Sequence, residues 1–109
     1  LFKGLNVEEA HILCLDRAGK IMDEITLGKG GFDFVNLAVM ECAMIIALKR
    51  PHSVYLAHNH VLADVSPSKE DVIFTKSLRI ELYKFNIKLN DHLIISGTNF
   101  FSLKLAGLL

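Results

Sequence analysis

The 109-residue chain has no net charge and few cysteines. Its 12 Lys and Arg residues balance 12 Asp and Glu residues. No overall field therefore attracts it to nucleic acid or to an anionic membrane, which disfavours a dedicated DNA-binding module. Its two cysteines, Cys14 and Cys42, lie in apolar runs and lack C-x-x-C spacing. They predict buried free thiols in a reducing compartment, and we expect a cytoplasmic location.

Long apolar runs are also missing. The longest apolar stretch, residues 35–48, is interrupted by Asn36 and Glu41. It is too short to span a bilayer, so no membrane association is expected. No signal peptide, repeat or linker is recognisable. A hydrophobic fraction of 51% suits one domain, residues 1–109, with a well-buried core. Because the chain starts at Leu1 rather than at a methionine, we expect this domain to be excised from a longer protein.

Patterns of apolar residues predict two helices and several short strands. Residues 36–50 are apolar almost all round, which predicts a largely buried helix. Residues 68–86 place apolar side chains at helical spacing with charges between them, which predicts an amphipathic helix. Strands are predicted at 10–16, 20–28, 53–58, 87–89, 92–96 and 100–103. Because strands and helices alternate, the expected fold is α/β, with a mixed central β-sheet flanked by helices.

Two histidines one residue apart, His58 and His60, follow the predicted strand 53–58 in the sequence AHNH. Residues two apart on a strand point to the same face, about 6.5–7 Å apart along it. Their imidazoles can lean onto one metal ion, with bonds of roughly 2.0–2.1 Å. An α/β sheet tends to place its binding crevice at such a strand end. The alternative interpretation is a pair of surface histidines.

Ser68 and Asp71 begin the second predicted helix with the pattern Ser-x-x-Asp, within SPSKED (66–71). This pattern favours a capping box, although Glu or Gln is more usual at its last position, and Ser66 is an alternative N-cap. A carboxylate can cap a helix and bind a metal at the same time, because it has spare lone pairs. The two interpretations of Asp71 are therefore compatible.

Together these residues resemble a known motif. The spacing His-x-His, seven residues, Ser, two residues, Asp is similar to the metal-binding motif of the JAMM or MPN-type metalloproteases. The segments 8–16, 57–60, 66–71 and 91–103 resemble more specifically the C-terminal domain of RadC-like proteins, from about Glu8 to Leu109. The resemblance implies an MPN/JAMM, cytidine-deaminase-like architecture. Nucleobase deaminases themselves are excluded, because the chain lacks both His-x-Glu and Pro-Cys-x-x-Cys.

The resemblance also implies a function and a set of roles. The domain would be a zinc-dependent metallopeptidase or isopeptidase acting on a peptide or protein substrate. His58, His60 and Asp71 would bind Zn²⁺ and leave a fourth position for water. Ser68 would donate a hydrogen bond to that water or to the oxyanion. An upstream glutamate would act as general base and then acid. Glu8 takes that place, but Glu9 is adjacent, and the alternation of the strand should decide between them.

Other features keep alternatives open. Asp91-His92 also matches the RadC-like pattern, and is either a support for a metal ligand or, as we favour, a satisfied structural pair. His11 and His52 match nothing and are expected to be structural or exposed. The loop VLA (61–63) replaces the usual Pro-Ser-Gly of the family, and Met40 replaces its arginine. These departures leave a second hypothesis, a non-catalytic metal-binding interaction module of a DNA-repair-associated RadC-like protein. The neutral charge gives no support to nucleic acid as a partner.

Overall fold

The structure, a computed structural model, describes residues 8–29, 38–61 and 65–109. In these ranges the chain forms five strands and two helices. In chain order they are β1 (Glu9–Leu15), β2 (Ile21–Lys29), α1 (Val39–Leu48), β3 (Ser53–Asn59), α2 (Lys69–Tyr83), β4 (Lys88–Ser96) and β5 (Asn99–Ser102). No helix of the described ranges is long and apolar enough to cross a membrane.

The five strands form one sheet in the order β2-β1-β3-β4-β5. Strand β1 is antiparallel to β2 and β3, β3 is parallel to β4, and β4 is antiparallel to β5. The β1–β2 hairpin turns at Asp16, whose carboxylate accepts the backbone N–H groups of Ala18 and Lys20 at 2.9 and 3.0 Å. The parallel β3–β4 pair requires a long crossover, which α2 provides. The predicted mixed α/β sheet is therefore confirmed.

Both helices pack on one face of the sheet. Alternate residues of β1 and β3 point to the same side, and those at even positions join α1 and α2 in a single apolar cluster. The buried members of this cluster are Ala10, Ile12, Cys14, Cys42, Ala43, Ile46, Val54, Leu56, Phe74, Leu78, Leu82, Ile87 and Leu89. Burial of this apolar surface provides the main driving force for folding.

The expectation that the first helix is largely buried is wrong. Along one side of α1, Met40, Met44 and Leu48 are 58%, 56% and 82% exposed. The buried residues of α1 are Cys42, Ala43 and Ile46. A helix that packs on one face of a sheet covers only the positions that recur every three to four residues. The outer side of α1 is therefore apolar in composition but exposed in the structure.

The predictions for the last strands and for the two cysteines agree with the structure apart from one strand boundary. The predicted strands 87–89 and 92–96 form one continuous strand, β4. Cys14 and Cys42 are both buried and free, as expected. Burial raises the pKa of the Cys42 thiol to about 11, so both its position and its protonation state make it inert. The reducing compartment inferred from these thiols stays a prediction.

Candidate metal centre

Strand β3 places the first histidine of the site. His58 lies at an even position of β3, on the same face as Leu56, and is buried between Ala10 of β1 and Ile94 of β4. His60 follows the strand, and its backbone N–H donates to the carbonyl of Ile95 at 2.9 Å. The two imidazole rings meet edge to face, with centroids 4.8 Å apart. The structure therefore brings both predicted histidines together at the carboxyl end of β3.

Helix α2 brings Asp71 to the same place. The helix is the crossover from β3 to the parallel strand β4, so its first turn lies above the carboxyl end of β3. Ser68 is its N-cap. The Asp71 backbone N–H donates to Ser68 Oγ at 3.0 Å, and the Ser68 N–H donates to Asp71 Oδ2 at 2.8 Å. The predicted capping box is confirmed with Ser68, not Ser66, at its start.

The capped carboxylate also faces both imidazoles. Asp71 Oδ1 lies 3.8 Å from His58 Nδ1, and Asp71 Oδ2 lies 3.7 Å from His60 Nε2. Two donor atoms bound to one tetrahedral zinc ion at 2.0–2.1 Å are about 3.3 Å apart. The observed separations exceed a hydrogen bond and come within about half an ångström of that spacing. Two imidazoles and a carboxylate are also a donor set that zinc accepts, so the donor chemistry of these residues fits the ion.

The glutamates that precede and begin β1 point to opposite faces of the sheet. Glu8 Oε1 lies 3.2 Å from His58 Nε2, and the Glu8 side chain is 40% exposed. Glu9 Oε1 instead lies 3.1 Å from His11 Nε2, and both of these side chains are 9% exposed. The Glu9 backbone N–H donates to Asn59 Oδ1 at 2.5 Å, which ties the start of β1 to the end of β3. Of the two glutamates, Glu8 therefore faces the histidines.

Among the described residues, the group whose donor atoms all lie close together contains Glu8 in place of Asp71, and sequence reasoning did not identify it. One donor atom from each of Glu8, His58 and His60 lies within 4.8 Å of the others, close enough to hold a metal ion. The family resemblance instead implies proton transfer for Glu8, with Glu9 as the alternative, and metal binding for Asp71. The geometry of the described residues thus offers two carboxylates to the same pair of histidines, on either side of His58.

The electrostatics of the site favour the neutral form of His58. Burial lowers the pKa of His58 below its ordinary value. The neighbouring His60 lowers it further, whereas the negative charges of Asp71 and Glu8 act in the opposite direction. The neutral imidazole is the form that binds a metal, because its unprotonated nitrogen carries the lone pair.

A buried hydrogen-bond chain lies behind Asp71. His92 on β4 is fully buried, and its Nδ1 lies 2.7 Å from Thr75 Oγ1. The Thr75 hydroxyl donates to the Asp71 carbonyl at 2.6 Å. Burial, with smaller contributions from His58 and His60, lowers the pKa of His92 to about 3. Sequence reasoning missed Thr75, although its position four residues after Asp71 on the same helical face was a usable signal.

Asp91, the neighbour of His92, serves a different part of the fold. Its carboxylate accepts the backbone N–H groups of His92 and Lys104 at 2.7 and 2.9 Å, and it also accepts the Ser102 hydroxyl. It therefore holds the turn that follows β5. Adjacent residues on a strand point to opposite faces, so Asp91 stabilises the C-terminal segment while His92 reaches towards α2.

Two departures from the RadC-like pattern, the VLA loop and Met40, involve exposed residues where the structure describes them. Val61 is exposed, whereas residues 62 and 63 of the VLA loop lie outside the described residues. Met40 lies on the exposed side of α1. The other unassigned histidines behave as expected, because His52 is exposed and His11 is buried against Glu9.

Comparison with known proteins decides the family. A family model described as the RadC-like JAB domain matches residues 1–108. The chain belongs to this family. The resemblance to RadC-like proteins that the motifs suggest is thereby confirmed, and the MPN/JAMM-type architecture is consistent with a JAB domain. A sheet with a histidine pair at the carboxyl end of its central strand is thus the core of this RadC-like domain.

Curated relatives agree with this assignment. The UPF0758 protein YeeS of Escherichia coli K12 is 33% identical over 106 residues, covering 97% of this chain and 72% of the relative. A UPF0758 protein of Syntrophomonas wolfei is 35% identical over 103 residues, covering 94% of this chain. The RadC-like domain spans only 43% of that relative's length, and 45% of a UPF0758 protein of Porphyromonas gingivalis that is 32% identical to it. None of these names states an activity.

Proposed function

We propose that this RadC-like domain is a zinc-dependent hydrolase of amide bonds, of the metallopeptidase or isopeptidase type, acting on a peptide or protein substrate. One observation carries the proposal. The buried carboxylate of Asp71 lies within 3.8 Å of the imidazoles of both His58 and His60, with Glu8 on the other side of His58. Burying a carboxylate is costly unless a cation or hydrogen bonds compensate it. A divalent cation would compensate this one.

His58, His60 and Asp71 would hold the ion, in preference to Glu8. The Asp71 side chain is 5% exposed and is held by the capping box, so its oxygens are pre-positioned. The Glu8 side chain is 40% exposed and precedes β1, so it can move towards solvent and substrate. When bound by three protein ligands, zinc activates water as a nucleophile at neutral pH.

Glu8 would transfer the proton. A general base must come within hydrogen-bond reach of the proton that it removes, either directly or after a small movement. The Glu8 carboxylate already contacts His58 Nε2 at 3.2 Å, and its side chain is 40% exposed, so it has room to move. It would accept a proton from the attacking water and then give it to the amine that leaves.

Ser68 would stabilise the oxyanion. Its Oγ accepts the backbone N–H of Asp71 at 3.0 Å, and this bond uses an oxygen lone pair, not the hydroxyl proton. The exposed hydroxyl can therefore donate to a substrate oxygen that develops negative charge. A single donor of this kind contributes about 3–4 kcal/mol to transition-state stabilisation.

Two isosteric variants test the assignment. We expect Asp71→Asn to lose both zinc and activity, because it removes a charged ligand. We expect Glu8→Gln to retain zinc and lose activity, because it removes only the base. Zinc is measured by atomic absorption after dialysis, and amide cleavage on libraries of peptides and isopeptides.

The outcomes separate the possible failures. Zinc that survives in Asp71→Asn and disappears in Glu8→Gln would overturn the ligand set in favour of Glu8, His58 and His60. Wild-type protein with full zinc occupancy and no cleavage of any amide would refute the hydrolase. That last result would favour the metal-binding interaction module instead.

A further inference from the structure

A buried histidine that the proposed mechanism does not use lies close to the site. His92 is fully buried at the centre of β4, where it pairs with Leu56 of β3. Its ring centroid is 6.1 Å from that of His58. Its Nδ1 contacts Thr75, which contacts the main chain of Asp71. Two hydrogen bonds therefore connect the middle of the sheet to the turn that carries the proposed acidic ligand.

The direction of this chain follows from counting protons. A threonine hydroxyl has one proton and two lone pairs. The Asp71 carbonyl can only accept, so the Thr75 proton points towards it at 2.6 Å. Thr75 Oγ1 must then accept from His92, whose Nδ1 is therefore the protonated nitrogen. The same direction holds whether the ring is neutral or charged, because Nδ1 carries a proton in both forms.

The hydrogen bonds from His92 through Thr75 end on the first turn of α2, which carries Asp71. A threonine that bonds back to the carbonyl four residues earlier is a common local feature of helices. Here the hydroxyl is also held from the sheet, so the first turn of α2 is tied to β4 by a directional contact. The carboxylate of Asp71 lies 3.7 and 3.8 Å from the two imidazole nitrogens, and small movements of this turn change both distances.

We propose that His92 is a positioning residue that acts through Thr75 to set the approach of Asp71 to His58 and His60. This inference rests on the proposed function, because it assumes that these three residues bind a metal. It assigns His92 a role that an apolar side chain of similar size cannot fill. Burying an imidazole in place of such a side chain costs stability unless its polar atoms are used.

The test compares two substitutions of Thr75. Thr75→Val keeps the shape and removes the hydroxyl, whereas Thr75→Ser keeps the hydroxyl and removes the methyl group. We expect Thr75→Val to weaken zinc binding by about 10- to 100-fold, the usual effect of losing a hydrogen-bond partner behind a metal ligand. We expect Thr75→Ser to retain the wild-type affinity. Zinc affinity is measured by competition with a chromophoric chelator, at a temperature where all variants are folded.

A second readout separates positioning from stability. Cobalt(II) absorption reports coordination geometry, and we expect Thr75→Val to change the spectrum of the cobalt-loaded domain. Leu82→Ala serves as the control, because Leu82 is fully buried on α2 but lies eleven residues beyond Asp71. It should lower the Tm and leave both zinc affinity and the cobalt spectrum unchanged. A loss of zinc affinity in Leu82→Ala equal to that in Thr75→Val would overturn the proposal.

A double-mutant cycle tests whether the two residues act as one unit. We expect the double variant, Thr75→Val with His92→Leu, to lose no more zinc affinity than whichever single variant loses more. Either change alone already breaks the same hydrogen-bond chain. Fully additive losses would contradict the relay. Wild-type affinity in Thr75→Val would refute the positioning role alone. A wild-type domain that binds no zinc would instead refute the proposed function, and the inference with it.

Discussion

Helix α2 buries two different kinds of side chain along one face. In its first two turns the buried residues include Asp71 and Thr75, whereas further along they are Leu78 and Leu82. Burial of the apolar pair stabilises the folded state because it removes apolar surface from water. The polar pair is stable only with partners at hydrogen-bond or ligand distance. The apolar half of α2 therefore holds the fold together, whereas the polar half lies at the candidate metal site.

The largest expected effect lies in the apolar half. Leu78→Ala removes a fully buried side chain from the cluster between sheet and helices. We expect it to cost about 2–5 kcal/mol in the free energy of unfolding, through lost burial and the cavity left behind. Urea denaturation measures the cost. Zinc affinity of the folded variant should be that of the wild type, so a large loss of affinity would show that the two halves of α2 are not independent.

The polar half of α2 contacts His92, which should make the free energy of unfolding depend on pH. The folded pKa of His92 is lowered to about 3 by burial, whereas in the unfolded chain it has its ordinary value near 6.5. Between these values the unfolded chain binds one more proton at this site, so stability falls as pH falls, by about 1.4 kcal/mol per pH unit. Above pH 6.5 the effect is absent.

The measurement is urea denaturation of the metal-free domain in EDTA from pH 7 to pH 4. His92→Leu is compared with wild type, so that titration of the other groups largely cancels in the difference. We expect the variant to lose the part of the pH dependence that belongs to His92. Parallel curves for the two proteins would show that folding does not lower the pKa of His92.

A smaller effect separates the two roles of Ser68. Ser68→Ala removes the N-cap, and we expect it to cost about 1 kcal/mol in the free energy of unfolding. Ser68→Asp keeps the cap, because aspartate is an equally good N-cap residue, but its ionised side chain has no proton to donate.

If Ser68 acts on the oxyanion, both variants should lose turnover by about 100-fold or more, although only Ser68→Ala loses stability. The readouts are Tm and kcat on the best substrate found for the wild type. Full turnover in Ser68→Asp would restrict Ser68 to capping α2.

The local parts of this comparison were predictable from the sequence. The pair His58 and His60 follows from the two-residue period of a strand, and the capping box of Ser68 and Asp71 from the three-residue spacing of a helix start. The contact between His92 and Thr75 was not predictable in this way. Seventeen residues separate the pair, and the parallel pairing of β3 with β4 brings them together.

The choice between Glu8 and Glu9 also needed three dimensions. Strand alternation places the two carboxylates on opposite faces, but sequence alone does not say which face carries the histidines. Glu8 contacts His58 and Glu9 contacts His11, so Glu8 lies on the face of the site, and its role as a base stays a proposal. The prediction that α1 is largely buried was wrong for a related reason. An apolar composition does not reveal how many other elements pack against a helix.

The smallest expected effect tests that failure directly. Met44 is 56% exposed on α1, whereas Ile46, two residues later, is fully buried. We expect Met44→Gln to change the free energy of unfolding by less than about 0.5 kcal/mol, as for most surface substitutions. Ile46→Ala, the matched control, should cost about 2–5 kcal/mol, because it empties part of the apolar cluster. A cost above about 1 kcal/mol for Met44→Gln would show that the outer side of α1 is covered in the folded protein, since an exposed side chain loses little on becoming polar.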